Sequence, residues 1–257
     1  MKAIEAEKNW VSKKMLRAIF LVWLACTLIG IFCYKIFILA ILCSILSSLS
    51  LILFLFMFYA HHKLSPKGGN FQSKVSALVT DKIETNASGR LLDIGCGSGI
   101  LSVELAIKCP LLKINGIDYW GSMWGYAKEK CEKLAKDNNV SDQICFERAS
   151  ASSLPFEDES FDIVISNMVF HEVADVKDKK EVIKEALRVL KKGGLFVFQD
   201  LLLNKKLYGN REYLVQYVKD LNIESVSLTK TAEQLTIPRL LNCPMFFSDT
   251  ALLSGKK

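Results

Sequence analysis

The sequence predicts an α/β protein in which a doubly wound, mostly parallel sheet follows a hairpin of two apolar α-helices. Two observations lead to this fold class. Residues 18–60 contain a single charged side chain, Lys35. From residue 90 onwards, short apolar runs of strand length alternate with amphipathic segments of helical spacing, which predicts parallel strands joined by crossover helices.

The apolar stretch is too long for one membrane-spanning helix. It has 43 residues, and a single helix of that length would measure about 65 Å, roughly twice the hydrocarbon thickness of a bilayer. We therefore predict a transmembrane helical hairpin over residues 18–60, with helices at 18–34 and 36–60 and a turn near Cys33, Tyr34 and Lys35. A re-entrant or interfacial hairpin is the alternative, because the first span is short.

The charges on either side of the hairpin predict its orientation. Five cations precede it at positions 2, 8, 13, 14 and 17, and Lys63 and Lys67 follow it. The positive-inside rule then places the basic N-terminus (residues 1–17), the linker (61–70) and the domain beyond it (71–257) in the cytoplasm. The protein is thus expected in the membrane, with its larger part on the cytoplasmic side.

The net charge of +6 belongs to the N-terminal part alone. Residues 1–69 carry eight Lys or Arg and two acids, whereas residues 70–257 carry twenty-five of each sign. A basic anchor suits anionic headgroups. A domain without basic excess argues against a nucleic-acid partner.

The domain beyond the linker is predicted to be Rossmann-like with seven strands. The strands are expected at residues 90–94, 113–118, 144–149, 161–166, 195–201, 223–228 and 251–255, the last two forming a C-terminal β-hairpin. Helices are expected at 71–84, 100–108, 122–137, 177–191 and 210–221. In an open sheet of this kind, ligands bind beyond the carboxyl ends of the strands.

A glycine-rich turn follows the first strand of the domain. Asp93 lies where the strand stops, and Gly95, Gly97 and Gly99 alternate with small residues before a helix begins. Outward-pointing N–H groups and the helix dipole make such a turn a cradle for a polar ligand. A plain turn and a nicotinamide-cofactor loop are the alternatives, but the latter requires Gly-x-Gly-x-x-Gly. The carboxylate favours a ligand with a cationic end over a pyrophosphate.

The pattern Asp-x-Gly-x-Gly-x-Gly over residues 93–99 resembles the first motif of class I S-adenosylmethionine-dependent methyltransferases. Two further stretches match landmarks of this family, residues 154–162 and the Leu-Lys-Lys-Gly-Gly of 190–194. The likeness is closest to the branch that methylates quinones, sterols and other small molecules. It implies S-adenosyl-L-methionine as cofactor, with Asp93, Gly95, Cys96, Gly97 and Gly99 around its amino-acid end.

Asp118 ends the second predicted strand, where a carboxylate accepts two hydrogen bonds from the vicinal hydroxyls of a ribose. Its alternative role is to cap the following helix. Tyr119 and Trp120 either cover the adenine ring or simply pack. The resemblance places Ser150 and Ala151 at the adenine.

Ser150 departs from the family pattern, because relatives usually carry Asp there, and serine is a weaker acceptor without charge. The resemblance also places Ser166 and Asn167 at the cofactor, after the fourth strand.

His171 is the candidate catalytic residue, as a general base or as a group that orients the nucleophile. The alternative is a histidine bonded to a neighbouring loop. Glu172 is interpreted as a solvated loop acid. The eight cysteines show no metal-ligand spacing, so no metal site is predicted. Residues 235–247 are apolar and interrupted by two prolines; they form a substrate lid, a bilayer-facing surface or ordinary core.

These features together favour methyl transfer to a small-molecule or lipid acceptor at the membrane. Two alternatives remain, a methyltransferase of a membrane-associated protein and a non-catalytic module that binds the cofactor. The acceptor atom and the oligomeric state are not predicted.

Overall fold

The computed structural model describes residues 9–120 and 128–257. Part of the predicted basic N-terminus and the predicted start of the helix at 122–137 therefore lie outside the described residues. The chain separates into two compact units that meet in sequence near residue 73. Each unit is described by itself.

The first unit is a helical hairpin. Its helices are α1 (Lys13–Phe32) and α2 (Phe37–Leu64), and residues 33–36 form the turn between them. α1 begins earlier than expected because the Ser12 hydroxyl caps it, accepting a hydrogen bond from the Met15 N–H at 3.1 Å. Both helices are long and apolar enough to cross a bilayer by length and composition.

Small and polar side chains hold the two helices together. The Thr27 and Ser47 hydroxyls are 2.7 Å apart across the hairpin. A Cβ on Gly30 would stand 3.2 Å from the Cβ of Cys43, so the backbones approach closely there. Of the serines at 44–50, Ser47 bonds across the hairpin, whereas the hydroxyls of the other three donate to carbonyls of their own helix.

The second unit is built on a seven-stranded sheet. The strands are β1 (Gly89–Ile94), β2 (Leu112–Asp118), β3 (Ile144–Arg148), β4 (Phe161–Asn167), β5 (Leu190–Asp200), β6 (Ser225–Lys230) and β7 (Ala251–Lys256). They lie in the order β3-β2-β1-β4-β5-β7-β6. Pairing is parallel from β3 to β5, and β7 is antiparallel to both of its neighbours. The predicted fold class is confirmed.

The helices of this region connect the strands. They are α3 (Phe71–Thr80), α4 (Ile100–Lys108), α5 (described from Lys128 to Asp137), α6 (Lys179–Arg188), α7 (Lys205–Tyr208), α8 (Arg211–Lys219) and α9 (Thr231–Gln234). Asp178 caps α6 by accepting a hydrogen bond from the Lys180 N–H.

One predicted boundary is wrong by several residues. The helix expected over 177–191 ends at Arg188, and the segment Leu190–Gly194 already belongs to β5. Leu190 pairs with Phe161, and the register then shifts before Ile163 pairs with Leu195. Gly193 absorbs this irregularity with a φ of 74°. The expected helix at 71–84 is likewise shorter, ending at Thr80.

The antiparallel strands β6 and β7 are joined by a long connection, residues 231–250. Leu241 and Phe247 in it are fully buried, whereas Leu240 and Met245 are more than half exposed. One side of this segment is therefore ordinary core, as one of the three interpretations expected.

The core of the second unit supports the loop that follows β4. Phe170 is fully buried and packs against Phe198 of β5, with ring centroids 5.1 Å apart. Because His171 is the next residue, this buried ring fixes the backbone that carries the candidate catalytic side chain.

Candidate functional site

The glycine turn after β1 has a backbone that side chains would obstruct. Gly95, Gly97 and Gly99 have φ values of 74°, 56° and 77°, in the left-handed region that favours glycine. The N–H groups of Gly95 and Cys96 both donate to the Ile117 carbonyl, at 2.8 and 2.9 Å. The turn is therefore tied to the end of β2.

The same turn is packed from two sides. A Cβ on Gly95 would lie 2.2 Å from a methyl of Val169, and one on Gly99 would lie 3.0 Å from Cys131 and Phe146. Gly99 opens α4 without a side-chain cap. The contact with Val169 brings the loop after β4, which carries His171, against the glycine turn.

Asp93 is buried at the end of β1, with 1% of its surface exposed. Its carboxylate accepts a hydrogen bond from the Ser102 hydroxyl at 2.6 Å. Burial raises the pKa of Asp93 from 3.8 to about 7, and the charge of Asp118 adds to this, although the Ser102 bond opposes it. A cationic group of a ligand would stabilise the ionised form.

Asp118 holds the turn at the end of β2. One carboxylate oxygen accepts from the Gly97 N–H at 2.9 Å, and the other accepts from the Trp120 N–H at 2.7 Å. The Trp120 indole N–H donates to the Gly97 carbonyl at 2.9 Å, so this side chain is packed against the turn. Tyr119 is 64% exposed, with the Arg148 guanidinium 4.7 Å from its ring centroid.

Ser150 belongs to a cluster that the sequence did not predict. Its hydroxyl lies 2.8 Å from that of Ser152, and both hydroxyls donate to one oxygen of Asp175, at 3.1 and 2.5 Å. A negative charge is thus present beside Ser150, although it comes from a residue 25 positions later. Ala151 is nearly buried beside this cluster.

Asn167 ends β4 with a partly unsatisfied amide. Its Nδ2 donates to the Ser76 hydroxyl at 3.2 Å, but its buried Oδ1 has no hydrogen-bond partner in the part of the chain that the structure describes. A buried acceptor in this state is costly unless a ligand supplies a donor. The neighbouring Ser166 hydroxyl donates to the Ile94 carbonyl at 3.0 Å.

His171 is held by Asp200, the last residue of β5. Its Nδ1 donates to Asp200 Oδ1 at 2.8 Å, and its backbone N–H donates to Oδ2 at 3.3 Å. This arrangement leaves Nε2 as the acceptor nitrogen of the neutral ring. Burial lowers the pKa of His171, but the hydrogen bond and charge of Asp200 outweigh it, so the net shift is upward.

Asp200 is a residue of this cluster that the sequence reasoning missed. It is 1% exposed, and the buried Tyr208 lies close enough that burial and the Asp200 charge raise the pKa of the phenol. The only signal in the sequence was an acid at the carboxyl end of a predicted strand. That signal does not show which residue it would contact.

The strand register brings these side chains to one edge of the sheet. Ile94 pairs with Ile117 and with Ser166, Asp118 pairs with Arg148, and Asn167 pairs with Gln199. The predicted site residues therefore lie at neighbouring strand ends. Among the described residues, no group of three or more His, Cys, Asp or Glu is arranged to hold a metal ion.

The parallel sheet, the glycine turn and the strand-end carboxylates define a nucleotide-type cofactor site of the class I methyltransferase kind. A comparison with protein families agrees, since residues 92–198 match the family model described as a methyltransferase domain. Over these residues the chain is similar to the class I S-adenosylmethionine-dependent methyltransferases, the family whose cofactor is S-adenosylmethionine.

Curated relatives resemble this chain over about half its length. It is 36% identical over 131 residues to the 27-O-demethylrifamycin SV methyltransferase of Amycolatopsis mediterranei, covering 51% of this chain and 45% of the relative. It is 32% identical over 133 residues to a ubiquinone/menaquinone biosynthesis C-methyltransferase of Geotalea daltonii, covering 49% and 54%. The chain thus spans about half the length of the curated relatives it matches.

Solved structures share the fold at low identity. The [4+2]-cyclase SpnF has a TM-score of 0.54 at 20% identity, covering 72% of this chain and 80% of that one. The geranyl diphosphate C-methyltransferase of Streptomyces coelicolor has a TM-score of 0.54 at 13% identity, covering 74% and 80%. These neighbours support the fold alone, and the reaction has to be argued from the site.

Replacement of Gly95 by Ala tests the packing of the turn. We expect it to lower the free energy of unfolding by more than about 2 kcal/mol, because a positive φ and an overlap with Val169 both oppose a side chain. Gly193→Ala is the matched control, since Gly193 also has a φ of 74° but no atom within 4 Å of an added Cβ. Urea denaturation of the full chain in detergent measures both. Equal losses would contradict the packing argument.

Replacement of Asp93 by Asn tests the buried carboxylate. The folded-state pKa of about 7 lies above the unfolded value, so wild-type stability falls as pH rises from 5 to 8 without cofactor. Asp93→Asn should therefore be more stable than the wild type by about 1–3 kcal/mol at pH 8, and by much less at pH 5.

Asp162→Asn is the control for the pH comparison. Burial alone would raise the pKa of Asp162, but hydrogen bonds from the Arg90 N–H and the Lys191 ammonium lower it. The stability that Asp162 contributes is lost only as pH falls below its ordinary range. The cost of Asp162→Asn should thus be the same at pH 5 and pH 8. A similar flat profile for Asp93→Asn would contradict the pKa assigned to Asp93.

Proposed function

We propose that this protein transfers a methyl group from S-adenosylmethionine to a small, lipophilic acceptor at a membrane surface. The observation that carries the proposal is the convergence of the buried Asp93 carboxylate, the glycine turn and the unsatisfied Asn167 oxygen at one sheet edge. A ligand with an ammonium group can donate hydrogen bonds to the Asp93 carboxylate and to Asn167 Oδ1, whereas a pyrophosphate has no donor for either group.

The residues present fit this cofactor from end to end. Asp93, Asn167 and the turn at Gly95, Cys96, Gly97 and Gly99 hold the amino-acid end. Asp118 already accepts one bond at each oxygen, and each oxygen keeps a lone pair for a ribose hydroxyl.

In this proposal, the adenine end of the cofactor contacts Ser150, Ala151 and Tyr119. Because the Ser150 hydroxyl donates to Asp175, its oxygen is the more polarised and a better acceptor for an amino group. Asp175 thus supplies the charge that relatives usually carry at position 150.

The bound cofactor supplies an electrophilic methyl group on a sulfonium. What remains for the protein is to align the acceptor with that methyl, exclude water and remove a proton where the acceptor carries one. His171 is the residue placed for the last task. Asp200 holds its Nδ1–H at 2.8 Å, which leaves Nε2 to accept a proton, and the raised pKa of His171 makes it a stronger base.

An imidazole base suits an acceptor with an ionisable hydroxyl. Deprotonation of a phenol or enol makes two atoms more nucleophilic, namely the oxygen and the carbon next to the one that carries this oxygen. Two of the relatives are named for small molecules, one for a rifamycin and the other for ubiquinone or menaquinone. Those names support a small-molecule acceptor here rather than a nucleic acid.

The helical hairpin supports a lipophilic acceptor. Most of the exposed large apolar side chains lie between Phe20 and Phe58, where a bilayer would cover them. We propose that residues 18–60 anchor the chain, that 1–17 and the linker 61–70 lie on the cytoplasmic side, and that the methyltransferase domain (71–257) works there. Tethering raises its effective concentration at the surface where a quinone or lipid is met.

Variants of the His171–Asp200 pair test the proposed base. His171→Gln should lower kcat by about 10²–10³-fold while cofactor affinity stays the same. Asp200→Asn should lower kcat by about tenfold or more, because the ring loses its fixed tautomer. It should also move the acidic limb of the pH–rate profile to lower pH, since the group that raises the pKa of His171 is gone.

Glu172→Gln is the control for these variants. The Glu172 carboxylate stands 3.7 Å from His171 Nε2, beyond hydrogen-bond distance, and its replacement should change kcat little. If all three variants were equally active, His171 would be a merely structural histidine.

The acceptor class is tested with membranes that contain the full chain. They are incubated with cofactor labelled in the methyl group, and the label should appear in the lipid extract. Asp93→Ala should abolish it. Label that migrates with polypeptide would favour the protein-methyltransferase alternative. Cofactor binding without any labelled product would favour a non-catalytic module.

A further inference from the structure

A groove of about 430 Å³ lies along one side of the helical hairpin. Its size falls within the range of ligand sites, about 300–1,000 Å³. Lys13, Arg17, Phe20 and Leu21 of α1 line one wall, and Phe54 and Phe58 of α2 line the other. Two cations thus lie at one end of a groove whose remaining surface is apolar.

Among residues 9–120 and 128–257, the two cations have no acidic partner in their neighbourhood. Lys13 and Arg17 are one helical turn apart on the same face, an arrangement in which like charges destabilise a helix. No Asp or Glu occurs between residues 8 and 80. Among the described residues, neither cation forms a salt bridge. An anion between them would remove the repulsion.

The apolar part of the groove is walled by aromatic rings. The Phe20 and Phe54 centroids are 5.5 Å apart, and those of Phe54 and Phe58 are 6.1 Å apart. Phe20 and Phe58 are 39% and 54% exposed, so they offer contact area that nothing in the hairpin covers. Leu21 lies eight residues beyond Lys13, about 12 Å along the helix axis.

The cations also lie at the end of the hairpin that carries most of its other basic residues, whereas Lys35 lies in the turn at the opposite end. The Asn9 amide donates to the His61 carbonyl at 2.8 Å, and His61 Nδ1 is 2.7 Å from the Val11 carbonyl oxygen. The start of α1 and the end of α2 are therefore level. Lys63 follows His61 closely, so the charged rim of the groove coincides with the expected headgroup level of the bilayer.

We propose that this groove binds one anionic phospholipid of the surrounding leaflet. The negatively charged phosphate lies between Lys13 and Arg17, and the upper part of one acyl chain packs along Phe20, Leu21, Phe54 and Phe58. The inference rests on the proposed membrane insertion but not on the proposed methyl transfer. A zwitterionic lipid fits less well, because its own cation would face two others.

Fluorescence quenching by brominated lipids tests the site in the full chain. Trp23 reports on the groove, since its ring centroid is 5.3 Å from that of Phe20. The protein is reconstituted in phosphatidylcholine vesicles that contain a fixed minor fraction of brominated phosphatidylglycerol or of brominated phosphatidylcholine. We expect the anionic lipid to associate about three- to tenfold more strongly than the zwitterionic one.

Charge-matched variants separate a specific site from general attraction. Lys13→Gln with Arg17→Gln should abolish the preference for phosphatidylglycerol. Lys14→Gln with Lys67→Gln removes the same charge, but neither residue lines the groove, and it should retain the preference. The exchange Lys13→Arg with Arg17→Lys should retain it as well. Equal losses in the two Gln pairs would show diffuse attraction and overturn the proposal.

Two further results would also overturn it. If inorganic phosphate abolished the preference, the cations would bind a soluble anion rather than a lipid. If both brominated lipids quenched equally in the wild type, the hairpin would be inserted without a lipid site. If neither lipid quenched at all, the proposed membrane insertion itself would fail, and the groove proposal with it.

Discussion

The carboxylate of Asp93, buried at the end of β1, is the constraint on which the site depends. A charge in that position is unfavourable in the folded chain alone, as the pKa of about 7 indicates. The glycine turn leaves no room for a side chain to cover it from within, because Gly95 is already packed against Val169. Protonation or a ligand that brings a positive charge would relieve this burial, and on our proposal the chain gives up some stability for selectivity toward a cationic ligand.

The sequence predicted those parts of the site that are formed by residues close together in the chain. The glycine turn, the acids at two strand ends and the alternation of strands and helices are local patterns, and each has a physical reason of its own. The parts it missed join distant positions. Asp175, in the loop after β4, contacts Ser150, which follows β3. Asp200 contacts His171 because β4 and β5 are neighbours in the sheet. Strand order decides such contacts, and periodicity does not reveal it.

The same division explains the helix boundary that was wrong. Helical spacing and the Lys-Lys-Gly-Gly sequence favoured a helix as far as residue 191. Leu190 instead pairs with Phe161 at the start of β5, so sheet pairing outweighed local propensity there. In the hairpin, the apolar length predicted the turn well. The groove was not predictable, since Phe20 and Phe54 are 34 positions apart.

On the proposed function, the two units have different tasks in reaching a membrane-bound acceptor. The domain from residue 70 onward carries as many acids as bases, so it has little net electrostatic attraction of its own to an anionic surface. On our proposal, residence at the membrane then depends on the hairpin. Its apolar exterior suits the hydrocarbon core, and its basic residues suit the headgroup region. On our proposal, a lipid held between Lys13 and Arg17 would fix the depth of α1 against the headgroups.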